Sequence, residues 1–217
     1  GVTGRNLDIT RVALKEPKAT ATKETKAAEQ EAAKGLVVDL GAGMTPVREA
    51  IRRLTAEGAL EPQGNRRVAV PQLTPSLLDQ LAFVRLTVEP KLAELACAHL
   101  DPALIDQLEA IDDEVDRSIR AGQVAGYLES NHAFHFALYE ASQAPILVDI
   151  ARSLWLRFGP SLRVVCARYG ASALPDRHEE ALAAMRAGDK LALARAIEND
   201  IQQGIDQIRQ SQAQGEM

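Results

Sequence analysis

From residue 74 onward, apolar side chains return at steps of three and four, the period of helices buried along one side. The periodic runs are punctuated by Asp101-Pro102, Gly122, Ala144-Pro145, Gly170 with Pro175, and Gly188-Asp189. Helices are therefore expected over 75–98, 102–121, 124–142, 145–169, 173–187 and 189–212. Thr74-Pro75 supplies the first of them with a cap and a proline suited to its opening turn. Six antiparallel helices of this kind make an all-α bundle with room for an internal pocket.

The front of the chain has a different texture. Residues 44–58 read MTPVREAIRRLTAEG, with Gly43 and Met44 in a tight turn. Thr45 is expected to cap a helix, Pro46 to take its first position, and Gly58 to stop it after about Ala56. Val47, Ile51 and Leu54 then form a core stripe, and Arg48 and Arg52 share another face with Arg53 at its margin. The run LVVDL at 36–40 reads as a short buried helix before it. After it, ALEP and RVAVPQL flank the turn QGNR and read as a β-hairpin.

Helix, turn, basic helix and hairpin follow one another in the order of a winged helix-turn-helix, whose second helix enters the DNA major groove. Arg48 and Arg52 would reach phosphates and guanine edges there, and Arg66 and Arg67 at the hairpin tip would touch the adjacent backbone. A solvated face paired with Glu49 and Glu57 is the competing reading of these arginines. Residues 1–35, rich in Ala, Lys, Glu and Thr, offer no core face and no legible fold.

Aromatic residues are only 4% of the chain, so the core is expected to be aliphatic, which favours helix-on-helix packing. No apolar run approaches the ~20 residues of a membrane span, and the first residues show no signal-peptide pattern. Cys97 and Cys166 read as reduced core thiols of a cytoplasmic protein. Net charge is −5, which alone argues against a nucleic-acid partner. Its distribution changes that: residues 74–217 hold thirteen Lys/Arg against twenty-one Asp/Glu, whereas residues 1–73 hold twelve against nine. A mildly basic front on an acidic body is compatible with a small DNA-reading head.

TPVREAIRRLTAEGAL followed by NRRVAVPQLT resembles the GntR family of bacterial transcription factors. VRLTVEPKLAELA, HAFHFALYEAS and HEEALAAMRAGD resemble its FadR-type branch, whose C-terminal helical domain is called FCD. The resemblance covers 36 to about 212. It implies a mainly α protein: an N-terminal winged helix-turn-helix over 1–73, then an FCD-like antiparallel bundle over 74–217 for effector binding and dimerisation. It further implies a homodimeric repressor that binds double-stranded operator DNA, Thr45 and Pro46 included in the contact surface, and that releases it when a small organic acid binds. Three positions depart from the pattern. Gly43 and Met44 stand where the family places Ser-Arg, Arg67 stands at the wing glycine, and the family's first helix has no clear counterpart in 1–35.

The same resemblance implies a divalent metal site at Asn131, His135, His178 and Asp200, the last standing where the family has histidine. Asn131 and His135 are i and i+4 on one helix face, and His178 opens a later helix. Two neutral imidazoles, a carboxylate and an amide oxygen suit zinc first, with nickel or manganese as alternatives, and leave positions open for water or a ligand carboxylate. Arg85 occupies the family's arginine position and is the expected bidentate partner of that carboxylate. An intrahelical Arg85–Glu89 pair, worth about 0.3–0.5 kcal/mol, is its competing reading. His99 and His132 read as satisfied core histidines, and Trp155 as plain packing. A helical metallohydrolase using His135, His178 and Asp200 is the alternative function, and a protein-binding scaffold a third.

Overall fold

The computed structural model describes residues 43–63, 67–169 and 177–214. The chain divides between Gln72 and Leu73 into two compact units. Readings that fall on residues 1–35, on the helix at 36–40, on Arg66, and on the side chains of Arg48 and Arg67 lie outside the described residues.

In the first unit, helix α1 spans Met44–Ala56. It begins one residue earlier than expected. Gly43, in extended conformation at φ −71° and ψ 164°, is the N-cap, and no side chain makes a capping bond, so Thr45 is not the cap. Pro46 sits at the third helical position rather than the first. Its missing N–H costs nothing there, because none of the opening N–H groups has an intrahelical acceptor. Val47 and Leu54 are buried and Ile51 is half-buried, as the stripe requires. Gly58 ends the helix at φ 72°, a conformation that disfavours any side chain. Strands β1 (Glu61–Gln63) and β2 (Arg67–Ala69) then pair antiparallel, with Pro62 opposite Val68.

The second unit holds α2 (Pro75–Ala96), α3 (Pro102–Arg120), α4 (Val124–Ala141), α5 (Pro145–Tyr169), α6 (Arg177–Ala187) and α7 (Lys190–Ala213). A single 3-10 turn at Cys97–His99 closes α2. Side chains cap three starts. Thr74 accepts from the Leu77 N–H at 3.3 Å, Asp101 from Leu104 at 2.8 Å, and Asp189 from Leu191 and Ala192 at 3.1 and 3.0 Å. Helix α2 packs on α4, α5 and α7, while α3 packs on α4 and α6, and α6 on α7. The seam is aliphatic along α7, where Ile201, Ile205 and Ile208 are buried at steps of four and three. Elsewhere it is not: five of the eight aromatic residues, Phe134, Phe136, Tyr139, Trp155 and Phe158, gather in the core where α2, α4 and α5 meet. Among the described residues no helix is long and apolar enough to cross a membrane. Cys97 and Cys166 are free thiols, and burial pushes Cys166 up to about 11.

Helices α3 and α4 approach closely at Gly126. A Cβ added there would stand 2.7 Å from Ser118 Oγ, a buried hydroxyl with no hydrogen-bond partner among the described residues. Gly126→Ala is expected to cost about 1 kcal/mol in urea unfolding, the low end for overpacking because the hydroxyl can rotate. Adding Ser118→Ala should restore most of the loss.

Candidate metal centre

The side chains that could hold a metal come from helices far apart in sequence. His135 lies on α4, His178 at the start of α6 and Asp200 on α7, and one ligand atom from each falls within 4.8 Å of the others. His135 Nε2 stands 3.1 Å from Asp200 Oδ2. The two imidazoles are buried, and the Asp200 side chain is 23% exposed, so the trio is reached from the Asp200 side. Asn131 is buried one turn before His135 on α4. Phe134 lies against the His178 ring at 3.9 Å, and Trp155 lies 5.0 Å from the His135 ring.

The outer hydrogen bonds decide which ring nitrogen faces the site. His178 Nδ1 is 2.7 Å from Asp112 Oδ1 on α3. A carboxylate only accepts, so Nδ1 carries the proton and Nε2 the lone pair. His135 Nδ1 is 3.0 Å from Tyr139 Oη. Tyr139 in turn donates to Glu89 Oε2 at 2.8 Å. Its phenol is held well above its ordinary pKa, first by burial and then by the Glu89 charge, so the hydroxyl keeps its proton.

His135 Nε2 is buried and makes no aligned hydrogen bond, although Asp200 is adjacent. Two acceptors this close are stable only with a cation on them, a proton or a metal ion. The donor set therefore fits a divalent ion: two nitrogen lone pairs, one carboxylate and a neighbouring amide. Burial would raise the Asp200 pKa, but His135, then His178 and Arg85, hold it below the usual carboxylate range.

Arg85 is buried and paired within its own helix. Its Nε and Nη2 donate to Glu89 Oε1 and Oε2 at 2.5 and 3.2 Å. Trp155 Nε1 donates to the same Oε2 at 2.8 Å. The guanidinium also lies over the Trp155 and Phe158 rings, 4.7 and 4.2 Å from their centroids. Trp155 is therefore a hydrogen-bonding member of the cluster, beyond plain packing. Glu89 thus engages Nε and Nη2 but not Nη1.

His132 stacks on Phe136 at 4.3 Å, and His99 meets Gln143 at 3.2 Å on the surface, so neither joins the trio. Sequence reasoning missed Asp112, Glu89 and Tyr139 as supporting groups. Asp112 had a signal: it falls one turn after Leu108 and three residues before Val115, on the buried stripe of α3, where an aspartate needs a partner.

In the first unit, Thr45, Pro46, Arg52 and Arg53 are exposed. Arg52 pairs with Glu49 at 3.0 Å and Arg53 with Glu57 at 2.7 Å, solvated pairs easily exchanged for phosphate.

The bundle has the fold of a helical domain carried by bacterial transcriptional regulators. Residues 80–203 match the FCD domain model, a span that includes Arg85, Asn131, His135, His178 and Asp200. The chain belongs to the GntR family of transcriptional regulators, in the branch that carries an FCD domain. It is 29% identical over 175 residues to the HTH-type transcriptional regulator McbR of Escherichia coli, covering 79% of each chain. It is 33% identical over 121 residues to the Nta operon transcriptional regulator of Aminobacter aminovorans, covering 55% of this chain and 56% of that one. The structure of E. coli McbR/YncC superposes with a TM-score of 0.77 at 28% identity, over 82% of this chain and 86% of that one. A GntR-type protein of Rhodococcus sp. RHA1, at TM-score 0.65 and 21% identity over 82% and 86%, shares the fold. These relatives are regulators, and the hydrolase alternative has no support among them.

Proposed function

We propose that the chain is a cytoplasmic, homodimeric repressor whose hold on operator DNA is set by a small organic acid bound beside a divalent metal. The observation that carries this reading is the meeting of His135 Nε2 with Asp200 beside His178, each imidazole backed by its own outer hydrogen bond. Asn131, His135, His178 and Asp200 would hold the ion. Zinc ranks first, with nickel and manganese as alternatives, and the ion would supply a Lewis-acidic anchor for a carboxylate. The chain's own part is to fix both imidazoles, exclude water with Phe134 and Trp155, and offer Arg85 Nη1 to the anion. Glu89 already engages the other face of Arg85, so an effector takes a shared guanidinium.

The winged head, with Thr45, Pro46, Arg48, Arg52 and Arg53 on α1 and Arg66 and Arg67 on the hairpin, would read one half-site per protomer. Effector binding would change the spacing of the two heads, so that paired half-sites are no longer engaged together.

Two measurements test this. Metal analysis of protein purified without added metal, followed by titration of chelator-treated protein, should show one divalent ion per chain. Trp155, the only tryptophan, reports binding by fluorescence because it touches the His135 ring. A chain that takes up none of the three metals refutes the metal centre. Gel shifts with operator DNA in rising salt should show a steep loss of affinity. Arg52→Ala should weaken binding and lower the log–log salt slope by about one. An unchanged slope removes Arg52 from the interface.

A further inference from the structure

We infer that Tyr139 and Glu89 form a relay that fixes which nitrogen of His135 is offered to the metal, and so act as positioning residues for the metal centre. This rests on the metal reading above and adds the way in which α2 reaches the site from outside the ligand set.

The chain of donors has one consistent direction. Glu89 is fully buried, and its two oxygens receive Arg85 twice, Tyr139 once and Trp155 once. A carboxylate locked in this way has no proton to give, so the Tyr139 hydroxyl must point at it. Tyr139 Oη then faces His135 Nδ1 with a lone pair, 3.0 Å away, and Nδ1 must be the protonated nitrogen. That leaves Nε2 to face Asp200 at 3.1 Å, with a proton between them until a metal ion takes its place. Reversing any one bond would aim two hydrogens, or two lone pairs, at each other. His178 reaches the same state directly through Asp112. The site thus has one short anchor and one long one. The long one ends on Arg85, the residue proposed above for the anion.

Removing the Tyr139 hydroxyl should release the ring. In Tyr139→Phe the Nδ1 proton loses its acceptor, and the neutral ring is better satisfied as the Nε2–H form donating to Asp200. Metal affinity should then fall about 10–100-fold, the usual cost of losing such an outer partner. The change conserves ring volume, and circular dichroism with urea unfolding verifies the fold.

The test uses the full-length chain with its histidines labelled with nitrogen-15. Spectra of the metal-free protein should show a proton on His135 Nδ1 in the wild type and none there in Tyr139→Phe, whose ring keeps only the Nε2 proton. Zinc titration followed by Trp155 fluorescence should show the affinity loss in the same variant. A bare Nδ1 in the wild type overturns the relay, as does a Tyr139→Phe protein whose ring state or zinc affinity is unchanged. A wild-type chain that binds no metal instead overturns the metal centre and with it the affinity half of the relay. The spectra still judge the proton assignment by themselves.

Discussion

Glu89→Ala is expected to cost the helical domain about 3–5 kcal/mol in urea or thermal unfolding, the largest effect of any single change to the cluster. The loss comes from what is left behind. Arg85 is 3% exposed and Glu89 is fully buried, so the guanidinium would lose its ion-pair partner inside the bundle. Burial by itself lowers the Arg85 pKa, and it is the Glu89 charge and hydrogen bonds that reverse this and hold the guanidinium above its ordinary value. The Trp155 N–H and the Tyr139 hydroxyl would lose their acceptor in the same step. Replacing both charges at once, as in Arg85→Met with Glu89→Leu, should recover most of the stability, because no unpaired ion remains. A single-variant loss below about 1 kcal/mol would mean that the pair is solvated and that the buried network has been misjudged.

The burial of the Arg85–Glu89 pair shows where sequence reasoning stops. The spacing of four makes the pair legible, and the same spacing on a surface is worth a few tenths of a kcal/mol. Only the closing of α4, α5 and α7 around α2 makes it costly to break, and no periodicity within α2 carries that information. The helices themselves were readable because Thr74, Asp101 and Asp189 cap them with their own side chains. Thr45 shows the opposite case: a residue of the right type beside a proline, yet the backbone of Gly43 takes the cap. His135, His178 and Asp200 were found through a family pattern, and their meeting point depends on six helices. Every one of α2 to α7 gives a side chain to the cluster: Glu89, Asp112, His135, Trp155, His178 and Asp200. Low aromatic content was correctly read as an aliphatic bundle overall. It concealed that the aromatics present were concentrated around the one polar site, where flat rings can shield imidazoles and a guanidinium from water.

Saturating metal is expected to stabilise the wild-type chain by about 4 kcal/mol at a thousand-fold excess over Kd, read as a rise in unfolding midpoint over the chelator-treated protein. Asp200→Asn should abolish that rise while leaving the metal-free protein as stable as before or more so. The sign follows from the geometry: metal-free, His135 Nε2 and Asp200 at 3.1 Å need an added proton between them, whereas an amide in place of Asp200 can donate to a neutral Nε2. His178→Ala should also abolish the metal effect, but at a cost to the metal-free fold, because Asp112 would keep a buried carboxylate with its histidine partner removed. The two variants therefore agree on metal and differ in sign without it, a pattern that a merely structural role for either residue would not produce. If Asp200→Asn keeps the full metal-dependent rise, Asp200 is not a ligand. If His178→Ala is as stable as the wild type in chelator, the Asp112 anchor carries no weight.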